Sequence, residues 1–305
     1  LALEKQKHPD TVQGLLPLLE SKYWQVRRAA AITLKAFRPD EAIAPLADAL
    51  ARSEGRDRNE ILAALLEITG ETFGNDPAAW KAFARGTPES EIRARPKHPP
   101  YAFGVPNYGK RVVICLDNSL RMTDRHPFDA ERLRELSTAP DGKAIPWIRV
   151  ATNGQFAQAQ VKHLIRNFEK GTKFELLTFN ATVNPVFNKL ATVGTASRNT
   201  AFEALDGLQT DDGIAAYTVL QQALDVAGPT DAKAWKSGPD EILYITVNVP
   251  TTGDVTQADL VAASIGLEAR LRMVPITTVG IHFHPYDMCR EIARLTGGVY
   301  VDLTK

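Results

Sequence analysis

Cysteine is nearly absent from this chain, since Cys115 and Cys289 are the only two among 305 residues. Two cysteines cannot build the multi-disulfide framework that stabilises many small secreted domains. Cys115 lies in an apolar run and Cys289 in a predicted helix, so we expect both to be buried apolar residues rather than a bonded pair. The fold must therefore be stabilised by burial of apolar surface.

The chain also lacks a net charge, because 36 lysines and arginines balance 36 aspartates and glutamates. Without a basic field there is no bulk attraction for nucleic acid or for an anionic membrane, and we predict neither as a partner. No apolar stretch reaches the roughly 18 residues that a membrane-spanning helix needs, so we predict no membrane insertion. The chain begins within a helical pattern at Leu1, which suggests that further sequence precedes it.

The composition that remains is that of a globular protein, with 44% hydrophobic and 24% charged residues. A length of 305 residues suggests two domains. The first predicted domain, residues 1–72, is all-α. Leucines 15, 16, 18 and 19 fall at helical spacing, "WQVRRAAAITL" forms a second amphipathic helix, and the pattern recurs in "EAIAPLADALARSEGRDRNEILAALLEIT".

Recurrent helix pairs stack because neither helix can bury its apolar face alone. The "WQVRRAAAITL" string resembles the second helix of a HEAT repeat; an unrelated helical hairpin bundle is the alternative. Tyr23 and Trp24 lie near the first repeat turn. They are candidates for a protein contact surface, although a tryptophan here would also pack well between repeat helices.

Residues 73–109 are predicted to be a connector, because "RGTPESEIRARPKHPPYAFGVPNYG" is rich in proline, glycine and charge. From residue 110 to 305, strands and helices alternate, which is typical of a mostly parallel sheet covered on both faces. The predicted strands are 111–117, 173–179, 182–187, 241–247, 274–281 and 298–303. The predicted helices lie near 148–168, 198–208, 215–227, 256–272 and 286–296.

Two further features of this second domain are predicted. The segment "FELLTFNATVNPVF" should turn tightly at Asn180–Ala181 and form the one antiparallel hairpin. Residues 120–146 form a long polar excursion after the first strand, and loops of this length are often functional.

Five stretches between residues 110 and 303 together resemble a von Willebrand factor A-type (VWA) domain. They are "KRVVICLDNSLRM", "FELLTFNATVNPV", "LQTDDGIAAYTVLQQAL", "ILYITVNVPTTGD" and "TTVGIHFHPYDMCREIARLTGGVYVDL". The resemblance implies a doubly wound, Rossmann-like, six-stranded sheet of order 3-2-1-4-5-6. Ligands of such sheets bind outside the carboxyl ends of the strands where the order reverses. Helical repeats joined to such a domain also resemble bacterial HEAT–VWA proteins.

The resemblance implies that this crevice holds a metal-ion-dependent adhesion site. Asp117 and Ser119 match the first two oxygen ligands of the family. Three ligand positions are altered: Arg121 replaces the second serine, Ile214 the threonine and Val247 the second aspartate. Because Mg²⁺ requires near-octahedral oxygen coordination, we predict that this degenerate site holds no metal.

We predict instead that the Arg121 guanidinium takes the place of the ion and forms an internal ion pair with Asp117. Two alternatives stay open. Arg121 could point to solvent while Asp117 caps a turn. A metal could also be retained through nearby acids, for which Asp124, Asp211 and Asp212 are the candidates.

A zinc site is a further candidate, because His282 and His284 lie two residues apart with Asp287 and Cys289 nearby. A solvated loop is the alternative interpretation. The sequence contains no phosphate-binding loop and no locally supported catalytic pair. We therefore predict no enzyme activity and no cofactor.

The leading functional hypothesis is a non-enzymatic scaffold that binds protein partners. The alternatives are a metal-dependent adhesion module with non-standard ligands and a hydrolase built around His282 and His284. The family resemblance favours an extracytoplasmic location, whereas neither the partner nor the oligomeric state is predicted.

Overall fold

The computed structural model describes residues 9–53, 56–71, 73–74, 76–92, 100–138, 145–146, 150–226 and 238–304. The chain divides into two compact units, Leu1–Pro99 and Pro100–Lys305. Among the described residues, no helix combines the length and the apolar character that crossing a bilayer would require.

The first unit is all-helical, as predicted. Its helices are α1 (Pro9–Leu15), α2 (Trp24–Phe37), α3 (Ile43–Arg52), α4 (Arg56–Thr69), α5 (Pro77–Ala84) and α6 (Glu89–Ile92), with a 3₁₀ helix at Leu16–Glu20. Helix α2 packs against α4, and α3 packs against both α4 and α5. The predicted apolar stripes meet in a common core. Its most deeply buried large side chains include Leu19, Leu34, Leu46, Leu50, Ile61 and Leu65.

A buried ion pair joins α2 to α4. Arg27 Nη2 lies 2.6 Å from an Asp57 carboxylate oxygen, and the Asp57 side chain is fully buried. The Ser53 hydroxyl donates to the same carboxylate at 2.8 Å. The pair therefore couples the two helices, and removing either partner would leave a charge without compensation in the interior.

The predicted connector at 73–109 is too long, because both of its ends are folded. In the first unit, Phe73 packs edge-on against Trp80, with ring centroids 4.9 Å apart. In the second unit, strands β1 (Tyr101–Ala102) and β2 (Val105–Pro106) form a hairpin. Between these strands, the Phe103 N–H donates to the Gln160 side chain at 2.9 Å. A few buried aromatic rings thus order a stretch whose average composition resembles a linker; residues 93–99 lie outside the described residues.

The second unit is a doubly wound sheet, which confirms the predicted fold class. Its strands are β3 (Arg111–Asp117), β4 (Lys173–Phe179), β5 (Val183–Pro185), β6 (Ala191–Thr192), β7 (Glu241–Thr246), β8 (Ile276–Ile281) and β9 (Tyr300–Leu303). The order is β5-β4-β3-β7-β8-β9, with β6 also pairing with β4. The six predicted strands follow the predicted order 3-2-1-4-5-6, and the short β6 adds a seventh strand that was not predicted. The hairpin between β4 and β5 is antiparallel, as expected.

Helices cover both faces of this sheet. They are α7 (Ala130–Leu136), α8 (Asn153–Asn167), α9 (Thr195–Asp206), α10 (Ala216–Leu224), α11 (Ala258–Arg272) and α12 (Tyr286–Thr296). Alternate residues of β3 point to opposite faces, so Ile114 joins the core under α8 and α9. Cys115 joins the core under α10, α11 and α12. Cys115 and Cys289 are both buried and unbonded, as expected.

The predicted polar excursion at 120–146 contains regular structure where it is described. A 3₁₀ helix spans Leu120–Thr123, and α7 follows it. Met122, Phe128 and Leu133 from this stretch are buried in the core. These apolar residues are few and lie among charged ones, so no amphipathic pattern was recognised in the sequence. Their burial in the core explains why the segment is ordered.

Candidate functional site

The candidate site lies where the strand order reverses, between the carboxyl ends of β3 and β7. These strands are parallel neighbours. The helix that follows β3 on one face, α8, packs on the opposite face from α11, which follows β7. The loops leaving the two strands therefore diverge, which opens the crevice at which doubly wound sheets bind ligands.

Asp117 ends β3 as a buried carboxylate held by neutral donors. Its Oδ1 accepts from the Ser119 N–H at 2.7 Å. Its Oδ2 accepts from the Thr246 hydroxyl at 2.9 Å and from the Val247 N–H at 3.0 Å. Burial raises the pKa of Asp117, and the backbone hydrogen bonds from Val247 and Ser119 offset part of that rise. Asp117 thus fastens the end of β3 to the end of β7.

Ser119 lies next to this carboxylate with its side chain almost fully buried. Among the described residues, its hydroxyl has no partner in good hydrogen-bond geometry, although it lies close enough to Asp117 to help lower the pKa of that carboxyl. Its backbone forms an isolated parallel bridge with Asp211. Ser119 is therefore one described side-chain oxygen of the corner that is available to a ligand.

Arg121 does not form the predicted ion pair with Asp117. Its side chain is exposed, and its guanidinium carbon lies 5.6 Å from the centroid of the Phe283 ring. The physical reason is the 3₁₀ helix after β3. Met122 takes the inward position of that turn and is buried, so the neighbouring Arg121 is directed outward.

Ile214 and Val247, at the altered ligand positions, are both buried and belong to opposite faces of the core. The Ile214 N–H donates to the Thr251 hydroxyl at 2.9 Å. Gly213 precedes it with φ +90°, and a Cβ there would lie 2.8 Å from that of Ala181. Ile214 and Val247 therefore place apolar side chains in the core. Their backbone N–H groups donate hydrogen bonds to Thr251 and Asp117, respectively.

Of the three additional acids, Asp211 lies beside the corner, because its backbone bridges that of Ser119. Asp211 accepts from the Asp212 N–H at 2.8 Å, and Asp212 accepts from the Gly213 N–H at 2.8 Å. Asp124 is exposed at the end of the 3₁₀ helix. Within the described ranges, no group of three or more histidine, cysteine, aspartate or glutamate side chains is arranged to hold a metal ion.

The proposed zinc residues are also separated. His284 Nε2 lies 2.5 Å from the Tyr300 hydroxyl, and burial lowers the pKa of His284. Cys289 is buried in the core, and Asp287 accepts from Arg290 at 2.8 Å. Strand β8 ends at Ile281, so the alternation of a strand does not apply to His282 and His284.

The contact candidates of the first unit differ in exposure. Tyr23 is exposed, with the Lys22 ammonium 5.0 Å from its ring centroid. Trp24 begins α2 and is only partly exposed. Tyr23 is therefore accessible to a partner, whereas Trp24 is less so.

Sequence reasoning missed a set of exposed apolar residues at the carboxyl ends of the strands. Leu120 follows β3, Val249 follows β7, and Phe283 and Tyr286 follow β8; their exposed fractions run from 46% for Tyr286 to 63% for Phe283. We call these four residues and Arg121 the switch-point rim. The available signal was an apolar residue placed in a polar loop just after each strand.

A cavity of about 150 Å³ lies on the α8 side of Asp117. Its floor is apolar and includes Leu116, Met122 and Leu208. Its walls are uncharged polar side chains, namely Asn118, Thr123, Thr152, Gln155, Gln158 and Thr210. Of the described residues that line it, Asp117 alone is ionisable.

Comparison with known proteins supports both parts of this description. Residues 1–66 match the family model for HEAT repeats, and residues 151–302 match that for the von Willebrand factor type A domain. No curated protein matches the chain.

Among solved structures, a von Willebrand factor type A protein from Catenulispora acidiphila is 18% identical with a TM-score of 0.46; the match covers 64% of this chain and 38% of that one. An aerotolerance-related membrane protein from Bacteroides fragilis is 16% identical with a TM-score of 0.41, covering 63% and 90%. On its two family matches, the chain carries HEAT repeats in residues 1–66 and a von Willebrand factor type A domain in residues 151–302.

Proposed function

We propose that the chain is a non-enzymatic interaction protein whose VWA domain binds a protein partner through the switch-point rim, without a metal ion. The observation that carries this proposal is the rim itself. Arginine and aromatic side chains dominate the binding energy of many protein interfaces. Here Arg121 lies over Phe283 at the mouth of the crevice, and both are exposed.

The donor set at the crevice supports binding without a metal. Mg²⁺ takes six oxygen ligands in near-octahedral geometry. Asp117 already accepts three hydrogen bonds from neutral donors. The side chains of Ile214 and Val247 offer no oxygen ligand. The residues present therefore fit a divalent cation poorly.

A metal-dependent adhesion module is the second candidate, and one observation favours it. The Ser119 hydroxyl is buried next to Asp117 and has no partner in good hydrogen-bond geometry among the described residues. A buried polar atom of this kind usually signals a missing ligand or water. Adding Mg²⁺ or Mn²⁺ to the apo protein distinguishes the two candidates.

The absence of enzymatic activity remains part of the proposal. In the part of the chain that the structure describes, His284 is bonded to Tyr300 and Cys289 lies within the core. These residues are therefore not arranged as a nucleophile and its base. A hydrolase would need such an arrangement in an accessible crevice.

The experiment selects peptides from a random display library on the immobilised full chain, in the presence of chelator. We expect selected peptides to lose binding to Arg121→Ser and to Phe283→Ser. Arg166→Ser is the matched control, because Arg166 also lies over an aromatic ring, that of Phe202, at 5.4 Å. Peptides that bind Arg121→Ser and the control equally well would contradict the proposal.

A further inference from the structure

Helix α11 is apolar on two opposite faces. Its inner face is buried against the sheet and α12, and consists of Val261, Ala262, Ile265, Gly266 and Ala269. Its outer face carries Leu260, Leu267 and Leu271, whose exposed fractions rise from 51% for Leu260 to 73% for Leu271. A surface helix normally presents polar residues to solvent, so the outer leucines require an explanation.

The orientation of α11 is fixed, so these leucines cannot turn inward. Gly266 allows the neighbouring helix α12 to approach closely, since a Cβ there would lie 2.5 Å from the Leu295 side chain. Rotation of the helix would bring a larger side chain to that contact and would expose Ile265. The outer leucines are therefore a permanent feature of the surface.

The outer leucines are spaced as a helix-packing seam. Leu260, Leu267 and Leu271 are separated by seven and four residues, which aligns them along one stripe. The exposed Ala263 and Ser264 lie within the same stripe. Small residues beside large ones provide holes that the leucines of a facing helix can fill.

Two charges flank this stripe at opposite ends. Asp259 lies in the first turn of α11 and Arg270 in the last. Because they are eleven residues apart, they lie on the same side of the helix, about 16 Å apart along its axis. Neither forms an ion pair with a described residue, whereas the nearby Arg272 pairs with Asp225 and Glu268.

We propose that α11 is a self-association surface, which packs antiparallel against α11 of a second copy of this chain. In a two-fold arrangement centred between Ile265 and Gly266, Leu260 faces Leu271 of the second copy. Leu267 then faces Ser264 of the second copy. This inference stands apart from the switch-point rim and does not depend on it.

The charges select the second copy and its direction. In the antiparallel pair, Asp259 of each chain approaches Arg270 of the other. An attractive carboxylate–guanidinium contact then forms at both ends of the seam. A parallel two-fold pair would place this flank of the two helices on opposite sides of the seam, so the Asp259–Arg270 contacts could not form. Closed two-fold pairing is also the commonest symmetry of soluble oligomers.

Sedimentation velocity of the full chain over a concentration series tests the surface. We expect a monomer–dimer equilibrium, and Leu267→Glu should raise the dimer dissociation constant by at least about tenfold. Leu120→Glu is the matched control, because Leu120 is also an exposed leucine, 51% against 60% for Leu267, but lies outside α11. It should leave the dimer unchanged, so failure of this inference and failure of the proposed function are distinguishable.

Charge exchange tests the two charge contacts that flank the seam. Asp259→Arg alone and Arg270→Asp alone should each weaken the dimer, whereas an equimolar mixture of these two variants should form a heterodimer with both contacts attractive. A wild-type chain that stays monomeric through the series would overturn the proposal. So would a mixture that associates no better than its components.

Discussion

The carboxylate of Asp117 accepts its described hydrogen bonds from neutral donors. Three such donors hold it at the junction of β3 and β7. Arg121 is exposed and lies over the Phe283 ring. The positions of both residues could be predicted from the motif around them. The outward direction of the Arg121 side chain could not be predicted from the motif. It follows from the burial of the next residue, Met122, in the core.

Replacement of Arg121 should therefore change binding and not stability. For Arg121→Ser we expect the free energy of unfolding in urea to stay within about 0.5 kcal/mol of the wild type, since the side chain is exposed and forms no ion pair with a described residue. Peptide binding should fall in the same preparation. A loss of several kcal/mol would instead indicate that Arg121 pairs with Asp117 in solution.

Glu241 should make the stability of the protein depend on pH. Burial, and next the charge of Asp240, raise the pKa of Glu241 from 4.5 to about 8. Between these values the folded state binds more protons than the unfolded chain. The free energy of unfolding should therefore fall as pH rises through this window, by at most about 1.4 kcal/mol per pH unit.

The comparison that isolates this residue is Glu241→Gln, followed by urea unfolding at several pH values between 5 and 8. Asp117 and Glu175 also have a pKa raised by burial and contribute to both proteins with the same sign. We expect a smaller decline with pH in the variant. Parallel curves for the two proteins would count against a raised pKa at Glu241.

Between elements, the Arg27–Asp57 pair should be the most sensitive polar contact of the repeats. Arg27→Ala leaves the Asp57 carboxylate buried, with the Ser53 hydroxyl as its remaining described side-chain donor, and should destabilise the first unit by about 3–5 kcal/mol. Calorimetric melting of the full chain measures the effect. The double variant Arg27→Met/Asp57→Leu should recover most of the loss; no recovery would mean that the pair itself is strongly favourable.

The loop contact at Gly213 should also be intolerant of a side chain. Gly213 and Gly171 have the same φ of +90°, but only Gly213 has a neighbour, Ala181, within 3 Å of an added Cβ. Gly171→Ala should cost about 1–2 kcal/mol from backbone strain alone. Gly213→Ala should cost clearly more, because the loops before α10 and after β4 must separate. Equal melting temperatures for the two variants would refute the close contact.

Strands could be predicted more accurately than loops. Parallel strands buried on both faces appear as apolar runs, and the predicted bounds of β3 and β4 agree with the structure to the residue. The helix α7 and the β1–β2 hairpin were missed. Each is held by a few buried rings or leucines within a charged or proline-rich segment, and averaged composition does not detect them.

For the molecule as a whole, the order of units could be predicted but the nature of the binding surface could not. The motif substitutions indicated which oxygen ligands are missing. They did not indicate that exposed side chains at the ends of three strands form the switch-point rim. The rim residues come together because β3, β7 and β8 are neighbours in the sheet. Their proximity can be inferred from the sequence only once the strand order is known.

We propose above all that the VWA domain binds a protein partner at the carboxyl ends of its strands without a metal ion. Isothermal titration calorimetry of Mg²⁺ and of Mn²⁺ into the chelator-treated full chain tests it most directly, with melting temperature measured in parallel. The account predicts no saturable heat and no shift in melting temperature. A saturable binding event that disappears in Asp117→Asn and in Ser119→Ala would contradict it and would restore a metal-dependent site.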